Sequence, residues 1–328
     1  AEITEALKGA DMVFLTAVVV FAEAIHLALI YGFSRRIVNV GLIVDKAYFS
    51  HVFKEAFPIA ISLILVLVYF KLDTVILSIM KPAKDVGIYS VAYKVLEAII
   101  FLPAIYIGLV MPLLSRQAVT SLSNFRKTFR SAFNVISIFA LWFSTYIFLM
   151  SDWIVRIIGG TSFLSASPVL KILSFAILLI FFGNLGGHAI IALNLQKKAL
   201  WIYLGGAVLN IGLNVLLIPR YSYFATAVTT VITEVFITIS MFWLLQRAAK
   251  ITINKSVLGR TIFIVLLTAF LMYLYKDSFI KASLISLIYY PLLLIAGVFT
   301  RDDLQEIISL KKSPKLSGEI EDSIGVPS

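Results

Sequence analysis

Five ionisable residues stand inside stretches that are otherwise apolar: Lys71 and Asp73 in YFKLDTVILS, Lys94 and Glu97 in YSVAYKVLEAIIFLPA, and Glu234 in ATAVTTVITEVF. A charge in such a setting is costly and usually faces a partner, a cavity or a transported solute. Lysines placed there can offset an anionic group such as a pyrophosphate. The carboxylates can bind a proton or a small cation, and Glu234 is the main candidate for that ion-coupling role. Lys94 and Glu97 lie three residues apart and therefore on one helical face. Tyr89 and Tyr93, on the same segment, offer aromatic surfaces for a sugar. Asn184 and His188, one turn apart in FFGNLGGHAIIALN, complete the candidate set, with a packing hydrogen bond as the leading role for the His.

Catalytic chemistry finds little support. The chain has no Cys and three His, namely His26, His51 and His188. A lone His without a second ligand at suitable spacing is a weak metal signal, so no metal, cofactor or catalytic residue is expected. A membrane-embedded acyltransferase or glycan ligase is further disfavoured because no large polar loop is present.

These residues must be carried by membrane helices. The chain is 60% hydrophobic and 14% charged, with a mean hydropathy of +0.99. About 20 apolar residues cross the hydrocarbon core as a helix, and each span must satisfy its own backbone hydrogen bonds. Nine such stretches are legible, at 11–33, 55–80, 87–113, 129–150, 167–194, 198–218, 223–246, 259–275 and 281–298. The expected fold is an all-α polytopic bundle of about nine transmembrane helices. Asp73 and Lys94 each sit roughly 10 Å from the same end of adjacent antiparallel spans, so they are expected to meet across the hairpin. Pro58, Pro103 and Pro112 mark places where helices can kink. Glu23 and His26 form an i,i+3 pair in the first span, and Asn210 and Asn214 an i,i+4 pair in the sixth, the latter read as helix–helix glue.

The net charge of +10 does not point to nucleic acid, because the basic residues gather on alternate loops. Of the 28 Lys and Arg, 18 lie at one set of span ends and 7 at the other, with Lys71, Lys94 and Lys171 inside spans. The positive-inside rule places the richer set, and the C-terminus, in the cytoplasm. The expected site is a plasma membrane, with its lipids as partners. An odd number of spans with an outside N-terminus suggests that a portion lies upstream, processing being the alternative.

Two stretches, FPIAISLILVLVYFKLDTVILSIM and DVGIYSVAYKVLEAIIFLPAIYIGLVMPLLSR, resemble the polysaccharide exporter and O-antigen flippase family through Asp73, Val86, Gly87, Tyr89, Pro112 and Ser115. The segment SDWIVRIIGGTSFLSASPVLKILSF is similar to a second element of that family through Gly160, Phe163, Ser165, Val169, Leu170, Ile172 and Leu173, and FTRDDLQEI has the same look. The resemblance implies the multidrug/oligosaccharidyl-lipid/polysaccharide exporter fold, with two six-helix lobes around a cavity and often two extra helices. On that pattern residues 1–50 hold the last N-lobe helix and a cytoplasmic linker, and 51–248 the six-helix C-lobe. Residues 249–299 hold two extra spans and 300–328 a cytoplasmic tail that begins with a short amphipathic helix. The missing N-lobe would be a partner, without which the chain is not expected to transport.

The resulting expectation is a flippase that moves a lipid-linked oligosaccharide, a sugar on polyprenyl pyrophosphate, by alternating access and without chemistry. A drug or cation antiporter of the same superfamily is the alternative, with Asp73 or Glu234 binding a proton or sodium ion. The lysines argue against a purely cationic substrate. A lipid II flippase is a third option, and no Arg lies deep in any span. A non-transporting scaffold completes the set. Topology is the first test. A single Cys replacing Ser123 should resist an impermeant thiol reagent outside intact cells, whereas Ala83→Cys should label; labelling at 123 would reverse the orientation.

Overall fold

The computed structural model describes residues 2–35 and 46–298. It is helical throughout these residues: α1 (Glu2–Ser34), α2 (Lys46–Met80), α3 (Ala83–Thr120), α4 (Leu122–Gly159), a 3₁₀ turn (Thr161–Ala166), α5 (Ser167–Ala192), α6 (Gln196–Tyr221), α7 (Tyr223–Ala249), α8 (Lys255–Leu274), α9 (Phe279–Leu287) and α10 (Tyr289–Ile295). Among the described residues, seven helices are long and apolar enough to cross a membrane: α1, α3, α4, α5, α6, α7 and α8. With α2, 35 residues long, they match eight of the nine expected spans. The ninth departs from expectation. It is split into α9 and α10 around Ile288, because Pro291 cannot donate to the carbonyl of residue 287 and crowds it. The expected amphipathic tail helix lies outside the described residues.

The helix boundaries follow from local chemistry. Ser121 ends α3 and starts α4, its hydroxyl accepting from the Asn124 amide at 3.4 Å, an N-cap that replaces a missing helical bond. Gly160 follows α4 at φ 78°, ψ −179°, a region open essentially only to glycine. Pro168 then sits in the first turn of α5, where its missing N–H costs nothing. Asn254 caps α8 by accepting from the Val257 amide at 3.3 Å.

By contacts the chain divides into two units, Ala1–Glu55 and Ala56–Ser328. The first holds α1 and the beginning of α2. Among its described side chains Phe14, Phe21 and Leu27 are exposed, and the apolar run is of the kind that suits lipid. Within α1, His26 Nδ1 stands 3.5 Å from Glu23, the expected i,i+3 pair.

In the second unit α5 is the central post, packed against α3, α4 and α7, with α6 on α7, α8 on α4, and α9 and α10 on α8. Its core runs through Leu96, Phe129, Phe133, Leu173, Ile177, Phe181 and Ile237. The ends are tied by side chain–backbone bonds. Arg126 Nε donates to the Ala249 carbonyl at 2.5 Å and Arg130 to the Thr252 carbonyl at 3.3 Å, cations meeting the negative end of α7. At the opposite face Lys81 Nζ donates to the Pro219 carbonyl at 2.9 Å, and the Ser222 hydroxyl donates to Asp85.

The α6–α7 seam depends on close approach. A Cβ added at Gly206 would stand 2.8 Å from Ile237 Cδ1 and 2.9 Å from its Cγ1. Gly206→Val should therefore destabilise the bundle by about 1–3 kcal/mol through overpacking. The readout is the thermal unfolding midpoint of purified protein in detergent, and an unchanged midpoint would show the seam to be loose.

Candidate functional site

The bulk of α2 is lightly held. Of its described side chains only Asp73 and Leu77, one turn apart, are buried. Asp73 lies seven residues from Met80, about 10 Å along the helix, and is 1% exposed. Three other helices supply its partners. Asn214 Nδ2 of α6 donates to Oδ1 at 2.7 Å. Thr230 Oγ1 of α7 lies 2.8 Å from Oδ2, and Tyr89 OH of α3 lies 3.4 Å from the same oxygen.

The cluster extends along α6 and α7. Asn214 Nδ2 also approaches the Asn210 carbonyl at 3.1 Å and its Oδ1 at 3.2 Å, and Asn210 Nδ2 lies 3.5 Å from Thr233 Oγ1. Asn210, Asn214, Thr226, Thr229, Thr230 and Thr233 are all buried. Three of their oxygens, Asn214 Oδ1, Thr226 Oγ1 and Thr229 Oγ1, have no hydrogen-bond partner among the described residues. A buried carboxyl group ringed by hydroxyl and amide groups can carry a proton, and neutral oxygens of these types are ones that a hard cation takes.

Asp73 does not meet Lys94. Among the described residues its oxygens are occupied by neutral donors from α3, α6 and α7, while Lys94 is exposed on α3. The expectation of a cross-hairpin pair fails on height and on direction: α3 starts at Ala83, so Lys94 lies about 17 Å from its helix end against about 10 Å for Asp73, and the two side chains turn to different faces. Asp73 turns inward and Lys94 outward.

The ion pair across this hairpin is instead Lys71–Glu97, with Nζ 2.5 Å from Oε1 and both side chains partly exposed. Lys71, Lys94 and Glu97 thus form a charged strip on the outward surface of α2 and α3. Lys71 is nine residues from Met80 and Lys94 eleven from Ala83, so both lie about 14–17 Å from those ends by helical rise. Tyr93 links strip and core. Its ring lies 5.9 Å from Lys71 Nζ and stacks on Tyr89 at 5.4 Å, and Tyr89 reaches Asp73.

Glu234 is 2% exposed, one turn beyond Thr230 on α7. It faces α5 at Gly183, where an added Cβ would be 3.9 Å from Glu234 Oε2 and 3.4 Å from Thr238 Oγ1. On α5, Asn184 and His188 are half-buried, and His188 Nδ1 bonds to the Asn184 carbonyl at 2.9 Å. That bond within one helix is the packing role expected of it. The structure places Asp73, Tyr89 and Tyr93 together, sets Lys71, Lys94 and Glu97 on the outward strip, and puts Glu234 against α5 at Gly183 and Asn184 with His188 on α5. Sequence reasoning missed Asn210, Asn214 and Thr230 as partners of Asp73. The available signal was the Asn i,i+4 pair and the threonines at 226, 230 and 233 on successive turns of α7.

The described helices define a multi-pass membrane protein of all-α class. Its fold is similar to that of the lipid II flippase MurJ in an inward closed conformation, with a TM-score of 0.66 and 15% identity over 83% of this chain and 59% of that one. Residues 6–118 match the family described as polysaccharide biosynthesis protein. The chain is also 32% identical over 97 residues to an uncharacterized membrane protein of Methanocaldococcus jannaschii, covering 29% of this chain and 18% of that protein. It spans less than two thirds of the length of either relative. The family match supports the likeness to polysaccharide exporters that the motifs suggest, and the structural neighbour supports the fold.

Removing the shared acceptor tests the core. Asp73→Leu removes the acceptor that three helices share and should cost about 1–3 kcal/mol, read as a lower unfolding midpoint in detergent, while Lys94→Ala should leave the midpoint unchanged. An equal loss for Lys94→Ala would restore the Asp73–Lys94 pair.

Proposed function

We propose that this chain carries the transporting C-lobe of a flippase for a lipid-linked oligosaccharide, coupled to a proton or small cation held at Asp73. The observation that carries the reading is the strip of Lys71, Glu97 and Lys94, exposed at mid-membrane height on α2 and α3. A charged residue at the centre of a spanning helix costs about 2.5–3.5 kcal/mol even on the most lenient scale. Such a strip is stable against a water-filled cavity or an anionic substrate and unstable against lipid. Lys94 offers a cation to a pyrophosphate, and Lys71 becomes a second if Glu97 releases it. Tyr93 and Tyr89 present aromatic faces of the kind that sugars pack on, directly beside the lysines.

The ion site lies one layer behind. The Asp73 carboxylate ties α2 to α6 and α7 through Asn214 and Thr230. Loss of the bound ion changes the charge on that tie and hence the balance between states of the α2–α3 hairpin, the requirement for coupling. Glu234 is a second buried carboxylate on α7 and remains the alternative coupling residue. The plasma membrane, a cytoplasmic C-terminus and a second lobe belong to this same reading. Two buried carboxylates also favour a drug or cation antiporter as the second reading, and the two lysines on the strip count against it.

The test is surface glycan in cells lacking their own flippase, expressing a two-lobe protein that includes this chain. Lys71→Gln with Lys94→Gln should lower surface glycan up to about thirtyfold, at roughly 1 kcal/mol per lost phosphate-facing charge. Full rescue by the double variant would overturn the substrate assignment. Unchanged glycan together with a loss of drug resistance would move the protein to the antiporter class.

A further inference from the structure

At the membrane face opposite the arginine-tied end, the end of α4, the start of α5 and the end of α8 enclose a half-open cavity of about 530 Å³. It lies away from the Asp73 core and from the charged strip, and its lining includes none of their residues. Three cations line it, Arg156, Lys171 and Lys276, against two carboxylates, Asp152 and Asp277.

Two of these charges offset one another directly. Lys171 Nζ lies 3.4 Å from Asp152, which also accepts from the Ser167 hydroxyl. Arg156 and Lys276 make no ion pair among the described residues. Each instead rests on an aromatic face, Arg156 5.4 Å from the Trp153 ring and Lys276 4.5 Å from the Tyr273 ring. Stacking of this kind orients a cation without using its hydrogen-bond donors. The wall is fixed, since Trp153 Nε1 donates to the Lys276 carbonyl at 3.1 Å and its ring packs 5.9 Å from Phe279. Phe148 and Leu149 form the apolar side of the cavity.

A half-open cavity with preset guanidinium and ammonium groups, an aromatic rim and an apolar wall matches one kind of ligand. Arg and Lys recognise phosphate oxygens, and basic pockets between membrane helices hold anionic headgroups. The volume suits a headgroup-sized ligand, and the excess of one positive charge selects a net anion over a zwitterion. We propose that this cavity binds the phosphate of an anionic membrane amphiphile, whose hydrocarbon chain lies along Phe148 and Leu149. Two sources share that chemistry, an anionic phospholipid and a polyprenyl phosphate. The site needs no flippase activity, so it stands or falls separately from the function proposed above.

The experiment is native mass spectrometry of the purified, delipidated chain, titrated with phosphatidylglycerol, phosphatidylcholine or polyprenyl monophosphate. At least one of the two anionic lipids should be retained over phosphatidylcholine. Arg156→Gln and Lys276→Gln should each weaken that retention about fivefold, the effect of one basic residue near a lipid phosphate. Asp277→Asn should strengthen it by a similar factor, a gain that misfolding cannot produce. Arg220→Gln and Lys84→Gln, at the same membrane face outside the cavity, should change nothing. Displacement of phosphatidylglycerol by equimolar polyprenyl phosphate would identify the carrier as occupant, and the reverse would identify the phospholipid. Equal retention of anionic lipids and phosphatidylcholine, or equal losses in the Arg220 and Lys84 controls, would overturn the site.

Discussion

The Asp73 carboxylate is the point on which the helix arrangement turns. It takes hydrogen bonds from α3, α6 and α7 at once, and with Leu77 it is what α2 buries among its described side chains. In lipid there is no strong hydrophobic pull between helices, so packing and interhelical hydrogen bonds decide association. A carboxylate with three neutral partners is a strong version of that device, because the alternative is an unsatisfied acceptor in hydrocarbon. The glycine at 206 and the asparagines at 210 and 214 lie on the same helix, so close packing against α7 and the polar bond to α2 are built from one stretch of α6. Loss of either disturbs the other.

The second feature is the continuity from this core to the outward strip. Asp73 reaches Tyr89, Tyr89 stacks on Tyr93, and Tyr93 underlies Lys71, which pairs with Glu97. All five residues lie on the α2–α3 hairpin, so a shift of α2 along α3 alters both ends together. Rigid aromatic rings with few rotamers suit that role better than flexible aliphatic chains. A charge change at the carboxylate and the geometry offered to an anion are thereby placed within one hairpin.

Much of the fold was legible because length and apolarity alone specify membrane helices. Eight of nine expected spans recur as continuous helices, and Pro291 explains the exception. The site was legible by residue type and not by direction. Lys71, Asp73, Lys94, Glu97 and Glu234 were singled out by polarity, yet the pairing of Asp73 with Lys94 was wrong, because α3 starts four residues before the expected span and so sets Lys94 deeper than Asp73, and because height along a helix says nothing of azimuth. Azimuth for α2 is set by the neutral partners Asn214 and Thr230, more than 140 residues downstream. Small polar residues in a membrane helix serve packing as often as ligand binding, so their convergence on one acid could be seen only in three dimensions. The cavity beside Arg156 was invisible for a related reason, since its walls come from α4, α5 and α8 and no single segment displays its charge balance.

The division of the last apolar stretch has an effect on the lipid itself. Helices α9 and α10, of 9 and 7 residues, are joined end to end at Ile288. Their combined rise is only about 24 Å, short of a hydrocarbon core of about 30 Å. The bilayer along that flank must pinch inward, or interfacial side chains such as Lys276 and Lys281 must stretch to reach headgroup level, each at a fraction of a kcal/mol per ångström of mismatch. The neighbouring α8, at 20 residues, spans the full thickness, so the deformation is one-sided. The mismatch on that flank is thus shared between the lipid and the lysines at its end.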